Sequence, residues 1–506
     1  MRSFGARGDG ATPDTDAIQA AVDALLPGQT LRFPAGTYLI ATDRGVRLKD
    51  DIRLELGDAT LLGPNVDRAR CRIFEIQGAR KVEIRGGTLQ GSRSGSPEWG
   101  VGILASDAED LLVEDLTLRD FYFDGLLLTG NRGCRRVTVR NVLAENNRRT
   151  GLAVVHASDV AVAGSTFRGT RGQSPEAGVN CEPNSGEEVR GVAFTGCSFL
   201  GNANVGLYAH PGKGAGVAEV SVADSVVEDN GYGIVMSGVE GATIVSTRVA
   251  RNRGKGGSGI VFGDGTTRAV ASGNVLADNT RGIFSAGATG VEIRSNTVVG
   301  PGPLPPDGQA ESRDGIVCLG LRGLLTDACT VAGNTIRGWP GSGLVAQLVS
   351  RVQLLNNTVE DVGRRGVHLR GATETEVRGN SISGSGQGGP GQYDAIELEL
   401  SSRNNRIVGN TVHGSPTMRN PIGIGVGCTG NVVDGNVVLR HSDHSRGRAS
   451  LRANDPFLSH QSAPDGSGEQ RRGRRLPAVA APRRSERRPG DATDFGLFMR
   501  TTGPAS

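Results

Sequence analysis

A two-residue phrase, a small residue followed by an aliphatic one, recurs eleven times along the middle of the chain. The eleven copies begin at Gly151, Gly178, Gly206, Gly233, Gly259, Gly282, Gly315, Gly343, Gly366, Ala395 and Gly423. Successive positions differ by 23 (282 minus 259) to 33 (315 minus 282) residues. A second, out-of-phase series of asparagines consists of Asn274, Asn296, Asn334, Asn357, Asn380, Asn410 and Asn436. Repeats of this length, rich in Gly, Val and Asn and without helical periodicity, predict the coils of a parallel β-helix.

The start of the chain carries three further motifs, FGARGDG, DTDAIQAA and FPAGTY. Asp14 is expected to be the N-cap of a short amphipathic helix, with Ile18, Val22 and Leu25 on one face, that covers the open end of the first coil. Residues 1–40 resemble the opening of the pectate-lyase/polygalacturonase-type right-handed β-helix superfamily, the pectin lyase-like fold. The resemblance implies an all-β, right-handed parallel β-helix that acts on polysaccharides by hydrolysis, elimination or epimerisation.

Motifs of two enzyme groups in that superfamily are absent or displaced. The polygalacturonase set (N-x-D, a paired Asp, G-H-G and R-x-K) is not found, since no G-H-G occurs and Asp50-Asp51 lies too early in the chain. The Y-G-F-D-P-H phrase of alginate C5-epimerases is echoed only at Phe123-Asp124, with Leu126 in the histidine position. These departures leave the reaction open between a polysaccharide lyase and a glycoside hydrolase, with a C5-epimerase less favoured.

Strand alternation indicates which side chains of each coil face outward. The second and fourth residues after each repeat glycine point away from the core. The coil at Gly178 therefore presents Asn180 and Glu182, and the next coil presents Tyr208 and His210. Parallel strands lie about 4.8 Å apart, so we expect Glu182 beside His210 and Asn180 beside Tyr208.

These four side chains, Asn180, Glu182, Tyr208 and His210, are the predicted catalytic residues. Proton transfer at a sugar ring needs one group to remove a proton, another to deliver one, and a neutral donor for the developing charge. Glu182 is expected to raise the pKa of His210 and to fix its tautomer. The alternative is that the four residues are ordinary solvated surface.

Five other residues are predicted to bind the substrate: Asp124, Arg148, Arg149, Lys213 and Tyr232. Asp124 closely precedes a coil strand and could reach the same groove, while Arg148 and Arg149 would suit a substrate carboxylate. Lys213 lies in the loop after the predicted site, and Tyr232 would stack on a sugar face. For a uronan, Asn180 or an arginine would neutralise the carboxylate; for a neutral glycan, Glu182 would be the acid and Asp124 its partner.

A second cluster combines His368 and Arg370 with Glu397 and Glu399 of the adjacent coil, about six coils or roughly 29 Å from the first cluster. Two carboxylates in this setting could form a hydrolase pair or a calcium site. They could also form an ion-pair ladder that holds the coils together, which is the favoured interpretation. No cofactor is predicted, and calcium is the one metal that these carboxylates would suit.

Composition excludes several classes of function. A net charge of +3 is too small to indicate nucleic acid, and no apolar run approaches the roughly 20 residues of a membrane span. The seven cysteines form no CxxC pair, which argues against zinc, and Cys181 is expected to be a packed thiol. Because Phe4 already belongs to the first motif, the chain is expected to be cytoplasmic as written, or secreted if a leader is missing.

The sequence predicts a β-helix over residues 1–440 and a basic, low-complexity, disordered tail over 441–506, which is rich in arginine and lacks lysine. The favoured function is an enzyme acting on a polysaccharide or oligosaccharide by proton transfer. The alternative is a non-catalytic glycan-binding or surface-interaction scaffold, with the basic tail as a third possibility. The chain is expected to be a monomer or a homotrimer.

Overall fold

The computed structural model describes residues 1–41, 45–63, 71–93, 100–302, 313–321 and 326–439, and the backbone of 449–451 and 458–460. Within these ranges the chain is an all-β solenoid of stacked parallel strands, as the repeats predict. The helices in these ranges are a 3₁₀ turn at Arg2–Phe4 and one α-helix at Thr15–Asp23.

The repeat phrase forms one continuous parallel sheet, which we call the front sheet. Its 16 strands are Val46–Leu48, Arg72–Gln77, Val101–Ser106, Asp124–Thr129, Thr150–Val154, Ala177–Cys181, Val205–Ala209, Tyr232–Ser237, Ser258–Gly263, Arg281–Ala286, Ile316–Leu319, Leu344–Gln347, Val367–Arg370, Ile396–Glu399, Ile422–Ile424 and Leu458–His460. Every neighbouring pair in this sheet is parallel, so side chains at one register position form a column along the solenoid.

The rest of each coil lies in a second, larger sheet that closes the back of the solenoid. Its 33 strands are Asp9–Pro13, Thr30–Arg32, Thr37–Leu39, Ile52–Leu62, Arg80–Gln90, Glu109–Glu114, Thr117–Arg119, Cys134–Arg140, Leu143–Glu145, Ala157–Ala163, Thr166–Arg168, Glu188–Thr195, Ser198–Leu200, Gly216–Ala223, Val226–Glu228, Val239–Glu240, Thr243–Val245, Arg248–Ala250, Val270–Ser272, Val275–Ala277, Glu292–Arg294, Thr297–Val299, Thr330–Ala332, Thr335–Arg337, Gln353–Leu355, Thr358–Glu360, Glu376–Arg378, Ser381–Ser383, Arg406–Val408, Thr411–His413, Val432–Asp434, Asn436–Leu439 and Ala449–Leu451. Valine, isoleucine, leucine and phenylalanine side chains from both sheets fill the interior between them.

The N-terminal helix packs on the first coils, as predicted, and Ile18 and Val22 are fully buried in the core. Asp14 occupies the N-cap position, but its carboxylate makes no cap hydrogen bond. It accepts instead from the backbone N–H groups of Arg7 and Gly8, at 2.6 and 3.1 Å. The aspartate therefore ties the glycine-rich opening motif to the start of the helix.

The out-of-phase asparagines form a buried ladder inside the solenoid. At each step, the backbone N–H and the side-chain Nδ2 of one asparagine both donate to Oδ1 of the asparagine in the next coil, as from Asn334 to Asn357 at 3.0 and 2.9 Å. A second ladder, not predicted from the sequence, consists of Asn202, Asn230, Asn252 and Asn279. Both ladders satisfy polar groups that would otherwise be costly inside an apolar core.

Replacing Asn357 by leucine is expected to destabilise the protein although the side-chain volume is similar. Asn357 is fully buried, accepts from Asn334, and donates to Asn380 and to the carbonyl of Val331. Each buried partner left without its bond should cost about 1–3 kcal/mol. Urea unfolding of this variant and of the exposed control Asn131→Leu measures the difference, and equal midpoints would contradict the structural role of the ladder.

Paired structure continues past residue 440. Ala449–Leu451 pairs antiparallel with Asn436–Leu439, and Leu458–His460 pairs parallel with Ile422–Ile424. The rest of the predicted tail, including all of 461–506, lies outside the described residues.

Candidate functional site

The predicted patch lies on the outer face of the front sheet, and its expected pairing is confirmed. Asn180 is in register with Tyr208, and Cys181 with Ala209. Glu182 and His210 directly follow the two strands and extend the same hydrogen-bond pattern, since the backbone N–H of His210 donates to the carbonyl of Cys181 at 3.0 Å. Cys181 is fully buried, as predicted, and burial raises its pKa to about 12.

Four side chains of the patch touch one another. Nε2 of His210 lies 3.4 Å from Oε1 of Glu182. The amide Nδ2 of Asn180 donates to the other carboxylate oxygen of Glu182 at 2.7 Å. The rings of Tyr208 and His210 stack with centroids 4.1 Å apart. The patch is thus one connected unit of a carboxylate, an imidazole, a phenol and an amide.

The patch is far more buried than a solvated surface would be. Asn180 is 1% exposed and Tyr208 2%, and the side chains of His210 and Glu182 are 12% and 26% exposed. Oδ1 of Asn180 is buried and has no hydrogen-bond partner among the described residues. Buried polar groups are ordinarily hydrogen-bonded, so this oxygen is an acceptor that is available inside the patch.

Apolar side chains flank the patch on the outer face of the front sheet. Towards the N-terminus the cluster contains Val101, Leu127 and Ala153. Towards the C-terminus Val235 and Val261 follow Tyr208. The apolar surroundings lower the local dielectric constant, which strengthens any electrostatic interaction within the patch.

The predicted effect of Glu182 on His210 is opposed by a larger one. Burial lowers the pKa of His210 below its ordinary value, and the neighbouring Glu182 carboxylate only partly offsets this effect. Glu182 therefore acts in the predicted direction, but the net pKa of His210 lies below its ordinary value because burial outweighs the carboxylate. Burial, with the charge of Glu182, raises the pKa of Tyr208. Near neutral pH the patch therefore combines a neutral imidazole with a protonated phenol.

Asp124 does not reach the groove as predicted, because its side chain is fully buried at the start of its strand. Its two carboxylate oxygens accept from Nη1 of Arg149 at 2.9 Å and from the hydroxyl of Thr150 at 2.6 Å. We call this arrangement the aspartate clamp. Burial raises the pKa of Asp124, and Arg149 counteracts this shift.

The clamp holds Arg149 beside the patch. Nη2 of Arg149 lies 4.0 Å from Oε2 of Glu182, and its guanidinium lies over the ring of Phe123, 4.4 Å from the centroid. Arg149 is therefore oriented by a buried anion and an aromatic ring while its side chain remains 17% exposed.

The other predicted substrate-binding residues lie around the patch, and Tyr232 packs against the apolar cluster that includes Tyr208. Arg148 stacks on Tyr122, 4.2 Å from the ring centroid. Lys213 is exposed in the loop after His210. Tyr232 is in register with Val205, and its hydroxyl donates to the carbonyl of Lys255 at 2.9 Å.

The second predicted cluster is a network of ion pairs between neighbouring coils. His368 is in register with Glu397, and Arg370 with Glu399, as expected. Nε2 of His368 lies 3.0 Å from Oε2 of Glu399, and this bond is the main cause that lowers the pKa of Glu399 to about 2. Arg365 bridges the two glutamates.

A second aspartate clamp completes this network. Asp394 is fully buried and is bound by Arg419, 25 residues later, at 2.9 and 2.5 Å, and by Asn420, 26 residues later, at 2.9 Å. These are the separations found in the first clamp. Arg365, Arg419 and Asn420 were missed from the sequence, although the repeated Asp-to-Arg spacing is a signal that could have found them.

Within the described ranges, no group of three or more His, Cys, Asp or Glu side chains is arranged to hold a metal ion. Glu397 and Glu399 are bound by arginine and histidine, and calcium binding there stays a prediction. In the part of the chain that the structure describes, no helix is long and apolar enough to cross a membrane.

The fold and its stacked repeats define a parallel β-helix, and comparison with known proteins gives the family. The sequence model of the right-handed β-helix family matches residues 72–249, 187–320 and 314–445. The chain therefore belongs to the right-handed β-helix family. Residues 1–62 match the model of the pectate lyase-like domain of rhamnogalacturonase A and epimerases. The resemblance to the pectin lyase-like superfamily is thereby confirmed.

Individual relatives are distant. The uncharacterised protein YclG of Bacillus subtilis (strain 168) is 24% identical over 424 residues, which span 75% of this chain and 61% of YclG. Pre-mature gene product 12 of bacteriophage phi29 is similar in structure, with a TM-score of 0.51 and 14% identity over 89% of this chain and 58% of that one. PfbA, a surface adhesin of Streptococcus pneumoniae, gives a TM-score of 0.48 and 16% identity over 73% and 91% of the two chains. Likenesses at this level of identity concern the fold alone.

Proposed function

We propose that this protein is a carbohydrate-active enzyme that transfers a proton at a sugar ring of a polysaccharide or oligosaccharide, with Glu182 and His210 as the reacting pair. The observation that carries the proposal is the burial of this connected polar patch on the outer face of the solenoid, between two apolar clusters. The family matches, which include a model of rhamnogalacturonase A and epimerases, support a glycan as the substrate.

The geometry favours elimination or epimerisation over hydrolysis. Glycoside hydrolysis ordinarily uses two carboxyl groups that flank the scissile bond. The carboxyl group of Asp124, which is linked to Glu182 through Arg149, is fully buried and bound by Arg149 and Thr150. A single carboxylate next to a neutral imidazole fits proton abstraction from carbon better.

Each residue of the patch has a distinct proposed role. His210 is neutral because burial lowers its pKa, so it can accept the proton from carbon. In elimination the neighbouring glycosidic C–O bond then breaks and its oxygen takes a proton from the imidazolium or from water, whereas in epimerisation the carbon takes a proton from water on its opposite face. Glu182, 3.4 Å away, stabilises the imidazolium that forms. Asn180 positions Glu182 through its 2.7 Å hydrogen bond, and Tyr208 positions the imidazole by stacking. Arg149 would bind the acidic group that makes the sugar proton removable.

A non-catalytic glycan-binding scaffold is the second candidate. The observation in its favour is that the coils on either side of the patch present apolar residues on the outer face of the front sheet. Such a protein would bind the same polymers without changing them.

Incubation with a panel of acidic and neutral polysaccharides tests the proposal. New reducing ends, unsaturated uronate absorbance and uronate epimer ratios are measured for the native protein and for Glu182→Gln/His210→Ala. The matched control is Glu219→Gln/His413→Ala, which changes an exposed glutamate and an exposed histidine. We expect a product that the control forms and the site variant does not.

Other outcomes would contradict the proposal. Activity that survives in Glu182→Gln/His210→Ala would move the site to Glu397 and Glu399. Binding of a polymer without any change to it would favour the scaffold.

A further inference from the structure

Two arginines converge on one glycine of the loop that precedes the strand Ala177–Cys181, the strand that carries Asn180. Arg93 donates from Nη2 to the carbonyl of Arg171 at 2.9 Å, and Arg148 donates from Nη2 to the carbonyl of Gly172 at 3.0 Å. A Cβ atom on Gly172 would lie 3.0 Å from Nε of Arg148 and 3.7 Å from Nη2 of Arg93. Two guanidinium groups thus rest against successive peptide groups of the same loop, next to a third arginine, Arg171.

These cations form no ion pair in the described part of the chain, although the Glu176 carboxylate lies on the same loop and accepts from the backbone N–H of Gly172 at 2.7 Å. No described carboxylate lies within 4.0 Å of the guanidinium groups of Arg93, Arg148 or Arg171, although Arg149, the next residue along, is paired with Asp124. Burial lowers the pKa of Arg93, and the charges of Arg148 and Arg171 add to this effect. Asp120 acts on Arg93 in the opposite direction.

Arg93 and Arg148 each have N–H donors that make no hydrogen bond to the described residues. Each guanidinium carries five N–H donors. Arg93 uses its donors on Asn146 and on the Arg171 carbonyl, and Arg148 uses two on carbonyl oxygens. The remaining N–H groups of both arginines have no acceptor among the described residues. The Tyr122 ring, 4.2 Å from Arg148, holds that guanidinium plane in place.

We propose that Arg93, Arg148 and Arg171 form an anion subsite that binds a carboxylate or sulfate group of the glycan. Both groups present paired oxygens that match the planar fork of a guanidinium. The subsite is linked to the reacting pair through the chain, since Arg148 directly precedes Arg149, whose Nη2 lies 4.0 Å from Glu182. This inference rests on the proposed function and adds that the substrate is an acidic polymer with a charged group outside the reacting sugar.

The affinity of polymers for protein variants, measured by calorimetry, tests the subsite separately from catalysis. Glu182→Gln/His210→Ala serves as a background that does not consume the ligand. The probes form two matched pairs: polygalacturonate with its methyl ester, and dextran sulfate with dextran. Within this background we compare Arg93→Gln/Arg148→Gln, Arg148→Lys, and the control Arg190→Gln, which changes an exposed arginine elsewhere on the solenoid.

We expect Arg93→Gln/Arg148→Gln to weaken binding of at least one acidic polymer about tenfold, equivalent to about 1.4 kcal/mol. Its neutral partner and the Arg190→Gln control should be unaffected. Arg148→Lys should weaken binding less, because lysine keeps the charge and loses the planar fork. The acidic polymer that responds identifies the oxyanion as carboxylate or sulfate.

Three outcomes would overturn the subsite: equal weakening for the acidic and neutral partners, no weakening in the double variant, or no binding of either acidic polymer. Urea unfolding of Arg93→Gln/Arg148→Gln excludes a simple loss of fold. Because binding is measured in the inactive background, failure of the subsite by either of the first two outcomes leaves the proposed reaction intact. Conversely, a protein that binds through these arginines without turning over any polymer would contradict only the proposed reaction.

Discussion

Replacing His210 by alanine is expected to lower glycan turnover about 10²–10⁴-fold, the usual contribution of general acid–base catalysis. His210 is the neutral base of the proposed pair, and alanine removes both the proton acceptor and the ring that stacks on Tyr208. The measurement is kcat and kcat/KM on the polymer that the panel identifies. His413→Ala, at an exposed position, is the matched control and should retain native rates.

The lowered pKa of His210 also predicts the direction in which turnover changes with pH. Since the pKa of His210 lies below its ordinary value, kcat/KM should rise with pH through that lowered pKa and level off before neutrality. Glu182 partly offsets the effect of burial, so in Glu182→Gln the pKa of His210 should fall further. The acid limb of any residual activity should then move to lower pH. A limb that moves to higher pH, or does not move, would contradict the assignment of His210 as base.

Replacing Arg419 by alanine is expected to destabilise the C-terminal coils by about 3–5 kcal/mol, the cost of leaving buried charges unpaired. Arg419 binds Asp394, which is fully buried, and also Glu397, which is 4% exposed. Without the guanidinium both carboxylates lose their bonds to it, although Asn420 still binds Asp394 and Arg365 still binds Glu397.

Urea unfolding and hydrogen exchange measure this effect. Because the coils of a solenoid mainly contact their neighbours, faster exchange should concentrate in the strands Val367–Arg370, Ile396–Glu399 and Ile422–Ile424. The control Arg403→Ala changes an exposed arginine of the same region and should have little effect. In Asp394→Asn/Arg419→Gln the buried charge of Asp394 is also removed, so the loss should be smaller. A native midpoint for Arg419→Ala would show that the network adds nothing to stability.

The fold was largely predictable because a solenoid repeats one local rule. The period of the glycine phrase identified the coils, and strand alternation placed Asn180 beside Tyr208 and His368 beside Glu397. The asparagine series was visible in the sequence, although its function as a hydrogen-bonded ladder depends on contacts between coils.

The properties of the site were less predictable because they depend on what surrounds each side chain. Alternation indicated that His210 faces outward, but did not show that its side chain is only 12% exposed, and this burial reverses the expected shift of its pKa. Asp124 is separated from Arg149 by 25 residues, and only the closed coil brings the two together. Arg93 lies 78 residues before Arg171, whose carbonyl it binds. No pattern in the sequence near either residue predicts this contact.

The most direct test of the central claim is proton exchange at the sugar. The acidic polymer that the protein binds is incubated with it in deuterium oxide, and deuterium at the ring carbon next to the carboxyl group is measured by NMR. Removal of that proton by the Glu182–His210 pair predicts deuterium in recovered or epimerised polymer, or an unsaturated product, with the native protein. It predicts neither with Glu182→Gln/His210→Ala. Cleavage to saturated ends without deuterium at that carbon would contradict proton transfer and favour hydrolysis.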